Sequence, residues 1–209
     1  VGFTDVTEGS RATFATGMAV VNACRELVDE LKARAATIMG VDSEAVDWID
    51  GAAVAEGHDP LPLDAITAKA KGTGGPLTVT ASLNAGGAGP SFAAHCCDVA
   101  VDEETGQVTV LRYTTAQDAG TAIHPSYVEG QMQGGTVQGI GWALNEEYVY
   151  GEDGTMLNAG FLDYRVPVAS DLPMIETIIV EVPNPAHPYG VRGVGETGIV
   201  PPMATIANA

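Results

Sequence analysis

An α+β fold in two lobes, with small mixed sheets and helices packed on them, is predicted for this 209-residue chain by three observations. Apolar residues recur at three- and four-residue spacing between residues 13 and 39. The period changes to that of strands from residue 77. Two glycine-rich stretches, around 130–141 and 190–198, interrupt the strand-rich region. The expected division is 1–76 for the lobe of the long helix and 77–209 for the strand-rich lobe, the two acting as one functional unit. A hydrophobic share of 45% suits a folded protein with a core, and no apolar run approaches the roughly 20 residues of a membrane span.

The opening dozen residues are rich in Thr, Asp, Gly and Ser and read as loop. From Thr13 a helix is predicted, with Leu27, Leu31, Ala35 and Ile38 on its apolar face and Asp29, Glu30 and Lys32 on the other, until Gly40 ends it. It spans about 40 Å at roughly 1.5 Å per residue. Its N-terminus, reached through Gly9-Ser10-Arg11-Ala12-Thr13, offers free N–H donors and a positive dipole. Residues 46–49 and 52–55 flank Asp50-Gly51, a dipeptide of tight hairpins, and 63–71 forms a short helix. The run Lys71-Gly72-Thr73-Gly74-Gly75-Pro76 is a connector, because the lysine leads the glycines and no strand precedes it as a phosphate cradle would require.

Strands are predicted at 77–83, Phe92–Val101 and 108–116, the last two joined as a hairpin through 102–107. Cys96 and Cys97 then point to opposite faces and serve packing before chemistry. Pro125 opens a helix to Leu144 that carries glycines at 130, 134, 135, 139 and 141. Each costs about 1 kcal/mol relative to alanine, so close packing against a backbone or a ligand must compensate. Gln131 and Gln138 share one of its faces. Further strands are predicted at 147–150, 157–166 and 175–182. His124 and His187, each beside prolines and without a partner at metal-ligand spacing, read as solvated loop histidines.

Charge and cysteine content exclude several classes of function. Nine basic against 27 acidic residues give a net charge of −18, which argues against nucleic acid or an anionic membrane surface as partner. Three cysteines make no even disulfide framework, so a reducing, cytoplasmic compartment is expected, with no iron–sulfur cluster or structural zinc held by this chain alone. The sequence starts at Val1, and a segment of something longer is expected, either a split subunit or part of a larger chain.

The stretch Gly190-Val191-Arg192-Gly193-Val194-Gly195-Glu196-Thr197-Gly198 presents one carboxylate on a loop that lets a ligand approach the main chain. Pro201 and Pro202 suit the first turn of the helix that follows. Three motifs in this order, Gly9 to Val20, then Glu129-Gly130-Gln131-Met132-Gln133-Gly134, then Gly193-Val194-Gly195-Glu196, resemble the C-terminal part of the molybdopterin-binding large subunit of the xanthine oxidase family. That family includes aldehyde oxidoreductases and carbon monoxide dehydrogenases. The resemblance covers nearly all of this chain and about the last third of such a subunit.

The resemblance implies a molybdopterin-dependent oxidoreductase that hydroxylates an aldehyde, purine or other heteroaromatic carbon with water as oxygen source. It implies that Gly9, Ser10, Arg11, Ala12 and Thr13 surround the pterin, that Gln131 hydrogen-bonds an oxygen ligand of molybdenum, and that Glu196 is the general base. Molybdenum would be held by the cofactor, so no protein metal ligand is expected, and the pterin is either simple or carries a cytosine dinucleotide. Arg192 stands where many relatives have lysine. The expected partners are the remaining molybdopterin-binding domain or subunit, an iron–sulfur subunit and, where flavin is used, an FAD subunit, so the isolated chain is expected to be inactive. The competing reading is a non-catalytic structural or assembly module without cofactor. Substrate identity is set by residues outside this stretch.

Overall fold

The computed structural model describes residues 6–84 and 90–209, so residues 1–5 of the opening loop lie outside it. The chain forms two compact units, Ala15–Asn84 and Val1–Phe14 with Ala85–Ala209. The fold is α+β, with two small sheets and four α-helices among the described residues.

In Ala15–Asn84 the dominant element is α1, Met18–Met39. The predicted helix start is wound as a π-helical turn, Ala12–Gly17, before the α-helix proper. Gly40 closes it in the left-handed conformation, φ 76°, its N–H donating to the Ala36 carbonyl at 2.8 Å. Strands β1, Asp47–Ile49, and β2, Ala52–Val54, pair antiparallel around Asp50-Gly51, whose φ values of 49° and 80° are those of a two-residue hairpin turn. A short β3, Leu61–Pro62, pairs with β2 and leads into α2, Leu63–Ala68. Leu31, Ala35, Val46, Ala53 and Ile66 form the core. Arg34 is buried beside it, paired with Glu30 at 2.7 Å and donating to the Gly75 carbonyl.

The other unit is built on β4, Phe92–Val101, β5, Val108–Asp118, and β6, Ile175–Val180. The sheet is mixed: β4 and β5 are antiparallel, β5 and β6 parallel. A parallel pair needs a crossover, and α3, Pro125–Leu144, lies in the connection between them. Val110, Tyr113, Ile140 and Ile175 meet Ile206 of α4, Pro202–Asn208, in the core. Cys96 is exposed while Cys97 is half-buried and donates to the Thr205 carbonyl at 3.7 Å, the opposite-face placement that strand geometry requires.

Four of the five glycines of α3 divide into two groups. A Cβ on Gly135 would stand 3.1 Å from the Gly198 backbone, and one on Gly139 only 2.8 Å from the Ile199 carbonyl and 2.7 Å from the Pro202 ring. The compensation for helix-breaking glycine is therefore backbone-close packing against the turn Thr197–Ile199 and the start of α4. Gly130 and Gly134 instead face open space.

Three predicted strands do not form. Residues 77–83 join neither sheet, and Leu77 packs instead on the core of Ala15–Asn84. Residues 147–150 make one isolated bridge, Tyr150 with Met156. The Asn158 side chain occupies their hydrogen-bonding edge, accepting from the Val149 N–H at 3.0 Å and donating to the Glu147 carbonyl at 2.6 Å. Residues 157–166 turn about Gly160, whose carbonyl accepts from Asp163 and Tyr164, leaving Phe161 and Leu162 fully exposed. Alternating apolar residues fix a face but supply no partner strand. Among the described residues, no helix is long and apolar enough to cross a membrane.

Candidate active site

The loop after β6 carries Glu196, and the structure brings to it the segment around Ser10, from the far end of the chain. Gly9 and Ser10 both adopt left-handed backbone, φ 57° and 53°, and the Arg11 N–H closes the turn on the Glu8 carbonyl at 3.3 Å. Left-handed geometry is unfavourable for a serine and persists only where surroundings impose it. Here it aims Ser10 Oγ at Glu196: the Glu196 backbone N–H donates to Oγ at 2.9 Å, and the hydroxyl reaches Glu196 Oε2 at 3.5 Å, the long limit of a hydrogen bond.

Gln131 comes from the exposed face of α3. A Cβ on Gly195 would stand 3.1 Å from Gln131 Oε1 and 3.6 Å from Ser10 Oγ, and one on Gly193 only 2.8 Å from Ser10 Cβ. Glycine is thus needed at 193 for the Ser10 segment to pack against the loop, and at 195 a Cβ would crowd the Gln131 amide. The carboxylate of Glu196 remains exposed, at the mouth of this cradle. Of the other residues in the predicted cofactor loop, Arg11 donates to the Val6 carbonyl at 2.7 Å, and Ala12 and Thr13 present exposed side chains at the start of the π-helical turn. The glycine-rich loop therefore adjoins serine, glutamine and amide groups that can bind an anionic, polar cofactor. Among the described residues no group of three or more His, Cys, Asp or Glu could hold a metal ion.

His187 is a correction to the sequence reading. It is buried, its ring centroid 4.5 Å from that of Phe14 in a tilted arrangement, with Nε2 donating to the Phe14 carbonyl at 3.1 Å and Nδ1 accepting from the Tyr189 N–H at 3.2 Å. It ties the loop to the segment that carries Ser10. His124 is exposed as expected, stacked on Tyr127. Sequence reasoning also passed over Gln117 and Asp118 at the end of β5. Gln117 is fully buried and its Nε2 donates to the Val194 carbonyl at 3.1 Å, two residues before Glu196. Two adjacent polar residues ending the strand shortly before Gly120 were the available signal.

Residues 1–173 match the family model of a molybdopterin cofactor-binding domain. The chain belongs to that family. Molybdopterin-domain relatives align along nearly its whole length. The gamma subunit of the 6-hydroxypseudooxynicotine dehydrogenase complex of Paenarthrobacter nicotinovorans is 30% identical over 96% of this chain and 26% of its own length. The xanthine dehydrogenase molybdenum-binding subunit of Escherichia coli O157:H7 is 32% identical over 96% of this chain and 28% of its own. Among solved structures, quinoline 2-oxidoreductase from Pseudomonas putida 86 superposes with a TM-score of 0.78 at 27% identity, over 97% of this chain and 27% of that one. The chain thus spans about a quarter of the length of these relatives. Gly9 to Thr13 and Gln131 lie inside the matched domain, and Glu196 lies beyond its end.

Proposed function

We propose that this chain contributes the general base and part of the pterin surroundings to the active centre of a molybdenum hydroxylase. The observation that carries the reading is the meeting of Ser10, Gln131 and Glu196, from three segments remote in sequence, around glycines that let the segments approach closely. Gly9, Ser10, Arg11, Ala12 and Thr13 would surround the pterin, with the Gln131 amide beside the metal's oxygen ligand. When bound, the molybdenum cofactor supplies the two-electron oxidation and the oxygen, ultimately from water, that is delivered to the substrate carbon. Glu196 accepts the proton released in that step, and its exposed carboxylate is free to do so. Ser10 holds the Glu196 backbone in place, and the neutral Gln131 amide orients without adding a charge beside the base. Such proton transfer contributes about 10²–10⁴-fold to the rate.

In this reading both sequence lobes, 1–76 and 77–209, act as one unit, and the rest of the molybdopterin-binding subunit completes the pocket. Electrons leave through an iron–sulfur subunit and, in flavin-using assemblies, an FAD subunit. In this reading the pterin carries a cytosine dinucleotide, and the assembly is cytoplasmic. The test compares wild type with Glu196→Gln in the assembled enzyme, using dye reduction with benzaldehyde, xanthine, quinoline and carbon monoxide. Turnover is expected to fall by at least about 100-fold, with molybdenum and pterin still near one equivalent. A variant that kept most of its kcat would remove Glu196 from this role, and a wild-type assembly devoid of molybdenum and pterin would favour the non-catalytic module.

A further inference from the structure

Residues 190–194 of the loop leading to Glu196 are each tethered to the end of β5 or to a segment beside it. The Gly190 carbonyl accepts from the N–H groups of Thr121 and Asn184, each at 2.9 Å. Val191 bridges Gly120, and the buried Asn184 amide donates to its carbonyl at 3.2 Å. The Arg192 N–H donates to the Ala119 carbonyl at 3.1 Å, Ser91 Oγ to the Gly193 carbonyl, and Gln117 Nε2 to the Val194 carbonyl.

At the centre of this array lies an ion pair. Arg192 Nε approaches Asp118 Oδ2 at 3.0 Å, with side-chain exposures of only 10% and 11%. Both partners make further hydrogen bonds. Asp118 Oδ1 accepts from the N–H groups of Gly120 at 2.9 Å and Val182 at 3.1 Å, while Arg192 also donates to the Val182 carbonyl at 3.2 Å and the Pro90 carbonyl at 2.9 Å. The ion pair between β4 and β5, Arg112–Asp98, is by contrast 72% and 55% exposed, a setting in which ion pairs contribute little. A buried pair held by further hydrogen bonds on both partners is costly to break from one side, because the remaining charge is stranded.

We propose that Asp118 and Arg192 are positioning residues for the base: their ion pair locks the turn from β5 to the loop 190–194 and so fixes where the Glu196 carboxylate stands. The inference rests on the assignment of Glu196 as base. Arg192 touches none of the reacting groups, since all its partners are Asp118 and main-chain carbonyls. A lysine can keep the charge opposite Asp118 but not the fork that also reaches Val182 and Pro90.

The test uses the assembled enzyme with Asp118→Asn, Arg192→Met, Arg192→Lys and the double variant Asp118→Asn/Arg192→Met. Hydrogen–deuterium exchange of residues 190–197 is read first, because it needs no substrate, then kcat and KM with whichever of the four compounds above is turned over. Both single neutral variants are expected to raise exchange in this loop at least tenfold and to lower kcat at least tenfold with KM within threefold, at unchanged molybdenum content. Arg192→Lys recovers most of the kcat, and the double variant is no worse than either single one, as for residues acting as a unit. Unchanged exchange and kcat in Asp118→Asn would overturn the clamp. So would strictly additive losses, or a fall in kcat that merely follows loss of cofactor. If Glu196→Gln is inactive while Asp118→Asn is normal, the base stands and the clamp falls. If Glu196→Gln is active while loop exchange still rises in Asp118→Asn, the clamp is structural and the base assignment falls.

Discussion

The two units of this chain are held together by different means. In Ala15–Asn84 the stabilising contacts are near in sequence: an i,i+4 ion pair on α1, a two-residue hairpin turn, and a core in which Leu31 and Ala35 meet Val46, Ala53 and Ile66. In the unit that carries Glu196 the decisive contacts join remote segments, Ser10 to Glu196 across 186 residues and Gln117 to Val194 across 77. Many of them are polar or backbone-to-backbone, such as α3 against the turn Thr197–Ile199. Local packing makes a scaffold at low ordering cost, whereas remote polar contacts fix a loop at an exact position only after long chain segments have been ordered. The Glu196 cradle lies in the second kind of region.

That contrast can be broken by large-to-small and small-to-large substitutions placed in the two units. Ile66→Ala opens a cavity at a fully buried position and should cost about 2–5 kcal/mol. In the assembled protein the resulting rise in hydrogen exchange should centre on α1, β2 and α2, and an equal rise at 190–197 would dissolve the distinction. Gly139→Ala is the counterpart. Its Cβ would press on the Ile199 carbonyl and the Pro202 ring, so α3 and the start of α4 must part by some tenths of an ångström. A stability loss of about 1–3 kcal/mol is expected, with exchange rising at 196–203 and kcat falling while α1 is unaffected. Normal activity in Gly139→Ala would show that the close approach of α3 is packing alone.

What could be read from the sequence follows the same division. Gly40, Asp50-Gly51, Pro125 and the strand Phe92–Val101 were legible because each signal is contained within a few residues. Ser10, Gln131 and Glu196 were singled out by ordered motifs, and the structure sets them side by side. The strands at 147–150 and 157–166 were misread because Asn158 supplies from its side chain the hydrogen bonds a ladder would have used. His187 read as a solvated loop residue because its covering ring, Phe14, lies 173 residues away. Asp118 and Arg192 could not be paired from sequence for the same reason: neither residue's spacing announces the other.

The smallest expected effect is one of pH, and it sharpens the comparison because it should be confined to one unit. His95 on β4 is half-buried, with Nδ1 3.0 Å from the Tyr113 hydroxyl and Nε2 2.8 Å from Thr115 Oγ1. Desolvation lowers its pKa from 6.5 to about 4, and desolvation likewise pushes the Tyr113 hydroxyl up to about 12. The sign is fixed by proton counting: between pH 6.5 and about 4 the unfolded chain binds a proton at His95 that the folded chain refuses, so stability present at neutral pH is lost as pH falls through that window. Asp102, Asp153 and Asp171, whose pKa values are lowered by hydrogen bonds to their carboxylates, add a loss of the same sign that sets in towards the acid end of this window. The histidine of the other unit, His58, is exposed and lacks such a network among the described contacts. Hydrogen exchange corrected for intrinsic rates should therefore show β4 and β5 losing protection between pH 7 and 4.5 while α1 does not. In His95→Gln, whose amide can keep both hydrogen bonds but does not titrate, the loss should vanish. An equal loss in that variant would assign the pH response to carboxylates elsewhere and leave His95 as a packing residue only.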